Sequence, residues 1–358
     1  MLRLFRREQK ASPTPVLRRE GRSQRWAAVV PQADRRVRVV AITRETADAV
    51  SVALEPCDAG RFIHQPGQYL THCLEIDGRP LRRAYSISGA KGERRLTCTI
   101  KRMGRVSGYI NDRLQVGDEY SIRGPSGDFT LDGVPAGPLV MVAGGSGITP
   151  VVHLIETALA AEPDRSITLV HANRRAEDVI FGRRLAALAD AHAGFRIIDV
   201  LSQPAPGWQG EVGHVDAARL RAWTPAEATY FLCGPAGLMD AVAAGLEDLP
   251  PGRLQREDFI SVQRTGGDRP KAPQTLHFAR SGQAVTQQIG QTILEAGLAA
   301  GLPLDFSCTV GGCAACKVRV SRGDVVHDEP HCLSDAERNE GWVLACSAYA
   351  SGPVEIEA

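Results

Sequence analysis

"PLVMVAGGSGITPVVHLIETALA" (138–160) is an apolar run, a glycine turn and a second apolar run with helical spacing. The first run is bounded and β-branched, as a buried strand requires, and Thr149 or Pro150 suits the start of the helix that follows. The same texture continues with "SITLVHANR" (166–174), "FRIIDVLSQ" (195–203) and "ATYFLCGP" (228–235) as buried-type strands. Between and after them, "EDVIFGRRLAALADA" (177–191) and "AGLMDAVAAGLEDL" (236–249) have the period of helices. Strands alternating with helices predict a parallel, doubly wound sheet.

The glycine turn "AGGSGITP" (143–150) is not G-x-G-x-x-G, because Pro150 stands where the third glycine would be. Its physical role survives: Gly145 and Gly147 let the backbone approach a pyrophosphate ahead of a helix N-terminus. "LCGPAGLMD" (232–240) ends another strand with Cys233-Gly234-Pro235. A catalytic thiol at Cys233 has no histidine or basic neighbour in sequence, and a small, soft residue beside a bound ring is the better reading.

Upstream, from Arg36 to Gly124, the pattern is short alternating runs such as "RVRVVAIT", "AVSVALEP", "QYLTHCLEI", "RLTCTIK" and "EYSIRG". Many short strands at roughly ten-residue spacing read as a closed or sandwich-like antiparallel β domain. Within it, "RAYSIS" (83–88) sends Arg83 and Tyr85 to one face, with Ser86 opposite or at a bend. A ring to stack on beside a cation suits a flavin nucleotide, although Tyr85 as an ordinary strand tyrosine stays open. "KRMGRVSGYINDRL" (101–114) adds Gly104 and Ser107 at a helix start, a second phosphate-seeking element that favours FAD over FMN.

Downstream, "PPGRLQREDFISVQRTGGDRPKAP" (250–273) loses periodicity and contains a linker. The remainder reads as a small unit: "TLHFAR" and "QAVTQQI" as a hairpin, "TILEAGLAAGL" as a helix, then "CTVGGCAACK" (308–317) and the strand "CKVRVSRGD". Three cysteines crowd that ten-residue loop, and 29 residues separate Cys316 from Cys346. Cys308, Cys313, Cys316 and Cys346 thus give C-x4-C-x2-C…C, the spacing of a plant-type [2Fe–2S] cluster. Structural zinc would use two ligand pairs, and Cys346 has no close partner cysteine, although His327, His331 and Cys332 lie between. A disulfide framework suits small secreted domains, and no apolar signal-peptide core opens this chain. A Rieske centre would need Cys-x-His elements that are absent.

The 358 residues allow two or three domains, and the net charge of +1 argues for neither nucleic acid nor membrane. No apolar run approaches the length of a spanning helix. Nine cysteines point to a reducing compartment, and so to the cytoplasm. Cys57, Cys73 and Cys98 read as small buried hydrophobes. The basic stretch 1–25 reads as a disordered tail; a docking arm for an acidic partner or membrane surface is the alternative. The partition is a basic tail at 1–33, a β domain at 34–135, an α/β domain at 136–252, a linker at 253–273 and a cluster unit at 274–358.

Taken together, these motifs resemble the ferredoxin–NADP⁺ reductase superfamily, in particular its members with a C-terminal plant-type ferredoxin domain. The resemblance covers about residues 35–358. It implies an antiparallel β-barrel FAD domain, a doubly wound NAD(P) domain and an α+β, β-grasp ferredoxin domain. It implies that Arg83 meets the FAD phosphates, that Tyr85 lies on the isoalloxazine with Ser86 near its N5, and that Gly104 and Ser107 hold the pyrophosphate. "PGQY" (66–69) matches the loop before the flavin strand. Gly144, Gly145, Gly147 and Thr149 belong to the nicotinamide-dinucleotide loop, and Cys233, Gly234 and Pro235 to the strand end beside the nicotinamide. On this resemblance Tyr85, Ser86 and Cys233 flank the reacting rings, and Cys308, Cys313, Cys316 and Cys346 bind the cluster. Ala314 and Ala315 depart from the bulkier or hydroxylated residues common there, which bears on the potential. Electrons would run from NAD(P)H through FAD and [2Fe–2S] to a protein acceptor, an oxygenase, demethylase or desaturase component. A redox sensor and a reductase of small acceptors are the alternatives. For the nicotinamide, Arg174 and Arg175 favour a 2′-phosphate while Glu177 and Asp178 favour a free ribose, so NADH is preferred only marginally.

Overall fold

The computed structural model describes residues 14–17, 26–29, 34–259, 269–306, 311, 314–328, 333 and 335–358. They fall into two units, 1–33 and 34–358. In the first unit, where the sequence reads as a disordered tail, two short strands pair antiparallel: β1 (Thr14–Leu17) and β2 (Trp26–Val29).

The second unit begins with a closed antiparallel barrel, so the closed form is the correct one of the two β architectures. Its strands are β3 (Arg35–Thr46), β4 (Ala49–Pro56), β5 (Tyr69–Ile76), β6 (Arg79–Lys91), β7 (Arg95–Lys101) and β8 (Glu119–Ser126), ordered β3-β4-β7-β6-β5-β8. Closure comes from the β3–β8 ladder, Arg35 opposite Ile122 through Arg38 opposite Glu119. Alternation sends Val37, Val39, Val52, Leu54, Leu70, Ile87, Leu96, Ile100 and Ile122 into one core. Helix α1 (Arg105–Asp112) turns Val106 and Ile110 into that core. Cys98 is buried as expected, Cys73 is half-buried, and Cys57 is exposed just beyond β4, where the strand pattern has ended.

The next layer is a six-stranded parallel sheet of order β12-β11-β10-β9-β13-β14. Its strands are β9 (Leu139–Gly144), β10 (Ile167–Asn173), β11 (Phe195–Leu201), β12 (Glu211–Val212), β13 (Thr229–Gly234) and β14 (Leu254–Asp258). Helices α2 (Ile148–Ala161), α3 (Gly182–Ala191), α4 (Ala217–Trp223) and α5 (Ala236–Ala243) supply the connections. The periodic stretch 177–191 is not one helix. Phe181 sits in the left-handed region at φ 64°, buried with Ile180 in the core, and α3 starts only after it. Strand β14 lies inside the stretch read as linker, paired with β13.

The last part carries β15 (Gln274–Phe278), β16 (Gln283–Gln287), helix α6 (Ile293–Ala299), β17 (Lys317–Arg322), β18 (Val325–His327), helix α7 (Asp335–Asn339), β19 (Trp342–Leu344), β20 (Ala348–Ala350) and β21 (Val354–Ile356). A mixed sheet of order β16-β15-β21-β17-β19 holds α6 through Ile293, Leu294 and Ala296, the β-grasp arrangement, and β18 pairs with β20. Thr292 caps α6: its hydroxyl accepts from Glu295 N, and the Glu295 carboxylate accepts from Thr292 N. The stretch before β15 is pinned at Arg269, whose guanidinium pairs with the buried Asp328 carboxylate at 2.6 Å.

Candidate functional site

The parallel sheet reverses direction of build at β9. Its chain successor β10 lies on one side and β13 on the other. A crevice opens beyond the carboxyl ends of the strands at such a point. Gly144–Gly147 leave β9 there, and Cys233-Gly234-Pro235 leave β13. The two turns are pressed together. A Cβ on Gly147 would lie 2.0 Å from the Cys233 carbonyl oxygen, and one on Gly144 would lie 2.7 Å from Pro235 Cδ. Gly147 therefore serves the packing of the two turns, not the approach of a ligand. Gly145 has φ +52° and open space around its Cβ position, so it is the glycine whose backbone a phosphate can approach. Thr149 is buried and donates through its hydroxyl to the Ser146 carbonyl at 2.9 Å, holding the turn.

Cys233 is fully buried among Phe231, Ile148 and Val151. A thiol in that apolar core has no exposed face to offer as a nucleophile. It is the small residue under the crevice, and its main-chain carbonyl is what Gly147 meets.

Arg83, Tyr85 and Ser86 occur together on β6. Arg83 is exposed, and its Nη1 donates to the Arg82 carbonyl at 2.6 Å. Burial pushes the Tyr85 hydroxyl up, opposed by the nearby Arg83 charge and a hydrogen bond with Ser107. Behind it His72 meets the Tyr85 ring edge-on, at 5.2 Å between centroids. Ser86 is buried opposite Tyr69 in the β5–β6 ladder. At the start of α1, Ser107 Oγ accepts from Met103 N at 2.9 Å and from Gly104 N at 2.8 Å, while nothing stands within 4 Å of the Gly104 Cβ position. The open helix start, the exposed cation and the half-buried ring converge through the Tyr85–Ser107 contact, as a flavin nucleotide needs.

Helix α2 joins the two centres. His153 on α2 meets the Ile87 backbone of β6 and stacks on His64 at 5.4 Å. Arg184 on α3 makes a bidentate pair with Glu156 on α2, both distances 2.5 Å, and donates to the Ser88 carbonyl of β6 at 3.0 Å. The helix that starts at the glycine turn thus rests against the strand that carries Arg83–Ser86. None of His64, His153 or Arg184 has a motif signal in the sequence.

Of the proposed cluster ligands, Cys316 and Cys346 are described and both are buried; Cys308 and Cys313 lie outside the described residues, as do His331 and Cys332. Gly311 N donates to Cys346 Sγ at 3.2 Å, the outer-sphere contact that a ligating thiolate favours. His327 accepts at Nε2 from Leu344 N, 3.3 Å away. Ala314 has φ 55°, an uncommon conformation for a residue with a side chain. Buried soft donors with an N–H aimed at sulfur fit an iron–sulfur group.

Comparison with known proteins agrees along the whole second unit. An oxidoreductase FAD-binding domain family matches 38–131, an oxidoreductase NAD-binding domain family 141–244, and a 2Fe-2S iron-sulfur cluster binding domain family 276–351. A component of the 1,2-phenylacetyl-CoA epoxidase of Escherichia coli K12 is 31% identical, over 87% of this chain and 93% of its own length. An NADPH oxidoreductase of Mycobacterium tuberculosis is 33% identical, over 90% and 84%. The glycine betaine monooxygenase reductase subunit of Pseudomonas aeruginosa is 29% identical, over 90% and 94%. Among solved structures, phthalate dioxygenase reductase, described as modular for electron transfer from pyridine nucleotides to [2Fe–2S], superposes with a TM-score of 0.69. It is 25% identical, and the match covers 91% of this chain and 98% of that one.

Proposed function

The chain belongs to the ferredoxin–NADP⁺ reductase superfamily, in the branch that ends in a [2Fe–2S] domain, and we propose that it supplies electrons to a separate oxygenase or demethylase component. It is an oxidoreductase with FAD-, NAD(P)- and cluster-binding domains. The observation that carries the reading is the seating of α2 against β6, which brings the dinucleotide turn and the flavin strand together in one unit. Bound FAD would supply the conversion of a two-electron hydride from the nicotinamide into single electrons for the cluster.

The protein residues bind and orient; none need carry a proton. Arg83 pairs with the FAD phosphates, Gly104 and Ser107 present the start of α1 to the pyrophosphate, and Tyr85 supports the ring from the His72 side. Ser86 faces the reacting edge. Gly145 offers backbone to the dinucleotide pyrophosphate, and Cys233-Gly234-Pro235 floor the nicotinamide site. Cys308, Cys313, Cys316 and Cys346 ligate the cluster, in a reducing, cytoplasmic compartment.

Purified protein should contain FAD and iron in a one-to-two ratio and oxidise NADH with cytochrome c or ferricyanide as acceptor. Oxidation of NADH that no one-electron acceptor stimulates would overturn the reading. NADH is the nicotinamide we favour, narrowly. Arg174 and Arg175 lie 3.7 Å from Asp178 and 4.0 Å from Glu177, so both cations already face carboxylates. A kcat/KM for NADPH more than tenfold above that for NADH, about 1.4 kcal/mol of transition-state binding, would reverse that choice.

A further inference from the structure

We infer that Arg82 and Arg123 of the barrel grip Phe306 and thereby dock the cluster domain on the flavin strand, making Phe306 a positioning residue for electron transfer. The inference rests on the function proposed above. Phe306 belongs to the last domain, where its ring is half-buried against that domain's core. Two guanidinium groups from the barrel reach the same ring. Arg123 Cζ, from β8, lies 4.1 Å from its centroid and Arg82 Cζ, from β6, lies 5.7 Å away.

The barrel side of the grip is prepared by its own strands. β5 runs between β6 and β8, with Cys73 opposite Arg82 on one side and Thr71 opposite Arg123 on the other. Arg123 is fixed by Asp34, whose Oδ1 accepts from Nε at 2.9 Å and from Nη2 at 2.7 Å. Arg82 hydrogen-bonds with the Cys73 side chain opposite it, while its Nε is buried with no hydrogen-bond partner among the described residues, so the ring face shares its charge with Cys73. An aromatic ring that only covered its own core would not bring together cations from two strands of another domain.

The position on the strand gives the grip its consequence. Arg82 and Ser86 share one face of β6, and four residues of strand span about 13 Å. Phe306 stands two residues before Cys308 in sequence. The grip therefore holds Phe306, the last described residue before the cysteine loop, against the strand that carries Ser86. Loosening it should lengthen the route between the two redox groups while leaving each group in its own domain.

The test uses full-length holoprotein carrying Phe306→Leu, Phe306→Tyr, or Arg82→Gln together with Arg123→Gln. Stopped-flow absorbance separates flavin bleaching on mixing with NADH from the later reduction of the cluster, and small-angle scattering gives the radius of gyration. We expect bleaching within twofold of wild type in all three. Cluster reduction should slow at least tenfold, with a larger radius of gyration, in Phe306→Leu and in the double arginine variant. Phe306→Tyr keeps the aromatic face and should restore both. Wild-type cluster reduction and radius in the double arginine variant would overturn the grip; that variant decides the matter even if Phe306→Leu loses iron. Wild-type protein without FAD or iron would defeat the proposed function instead, and the radius of the apoprotein variants would still report on docking.

Discussion

The Tyr120 hydroxyl lies 2.8 Å from His72 Nδ1 inside the barrel, where His72 is fully buried. Burial lowers the His72 pKa to about 3, so the imidazole is neutral, and its Nε2 has no hydrogen-bond partner among the described residues. The unfolded chain takes up a proton near pH 6.5 and the folded barrel resists it. Stability is therefore unaffected above about pH 6.5 and falls as pH drops toward 3, by up to about 1.4 kcal/mol per pH unit. His153 and His171, each lowered to about 4 chiefly by burial, add the same sign over the window from 6.5 to 4. Urea midpoints at pH 7.5 and pH 5 should show the drop, and His72→Phe should remove about 2 kcal/mol of it. Equal drops in wild type and variant would show that His72 does not titrate as its burial requires.

That pair also marks where reading the sequence stops. The strand "QYLTHCLEI" shows by alternation that His72 shares a face with Leu70 and Leu74, but nothing local says that Tyr120, 48 residues on, supplies its partner. The barrel, the parallel sheet and the cysteine spacing are legible because each repeats a short-range rule. The edge strands β12 and β14 are not, since pairing with an already formed sheet decides them, and neither is the break at Phe181, where burial of one ring overrides helical period. In the site, the motif residues Arg83, Tyr85, Ser86, Gly145 and Cys346 carry signals, whereas Arg184, His153 and Phe306 act across domains and carry none.

Arg83→Ala tests the flavin strand. Removing a charge-assisted phosphate contact should cost roughly 1.5–3 kcal/mol, a tenfold to hundredfold weaker hold on FAD. The variant should lose its flavin on gel filtration at micromolar concentration and keep its iron. Retention of full FAD under those conditions would remove Arg83 from the site.

The two turn glycines should respond oppositely to alanine. In Gly147→Ala the new methyl meets the Cys233 carbonyl at 2.0 Å, so the turns must separate and the melting temperature should fall by several degrees. In Gly145→Ala the space is open and the cost is the left-handed backbone, about 1–2 kcal/mol. Its chief effect should be a raised KM for NADH with FAD content unchanged. Similar melting and similar KM in both variants would contradict the division of labour between them.

Cys346→Ser tests whether the cysteine loop is an exit for electrons or a structural brace. Cys346 is buried beside Ala345 and Leu344, and its sulfur accepts the Gly311 N–H, so a serine fits the space with little loss of packing. A hydroxyl is nevertheless a poor ligand for iron compared with a soft thiolate, and the cluster should be lost or made labile. The residues assigned to FAD and the nicotinamide all lie between Gln65 and Pro235 and share no core with Cys346. The variant should therefore remain yellow, and its flavin should bleach with NADH at close to the wild-type rate. Reduction of cytochrome c and of the proposed protein acceptor should fall by orders of magnitude. If the cysteines only braced the fold, acceptor reduction would persist wherever the variant still folds. Bleaching and acceptor turnover measured on one preparation separate the two outcomes, and loss of both with FAD still bound would defeat the modular arrangement itself.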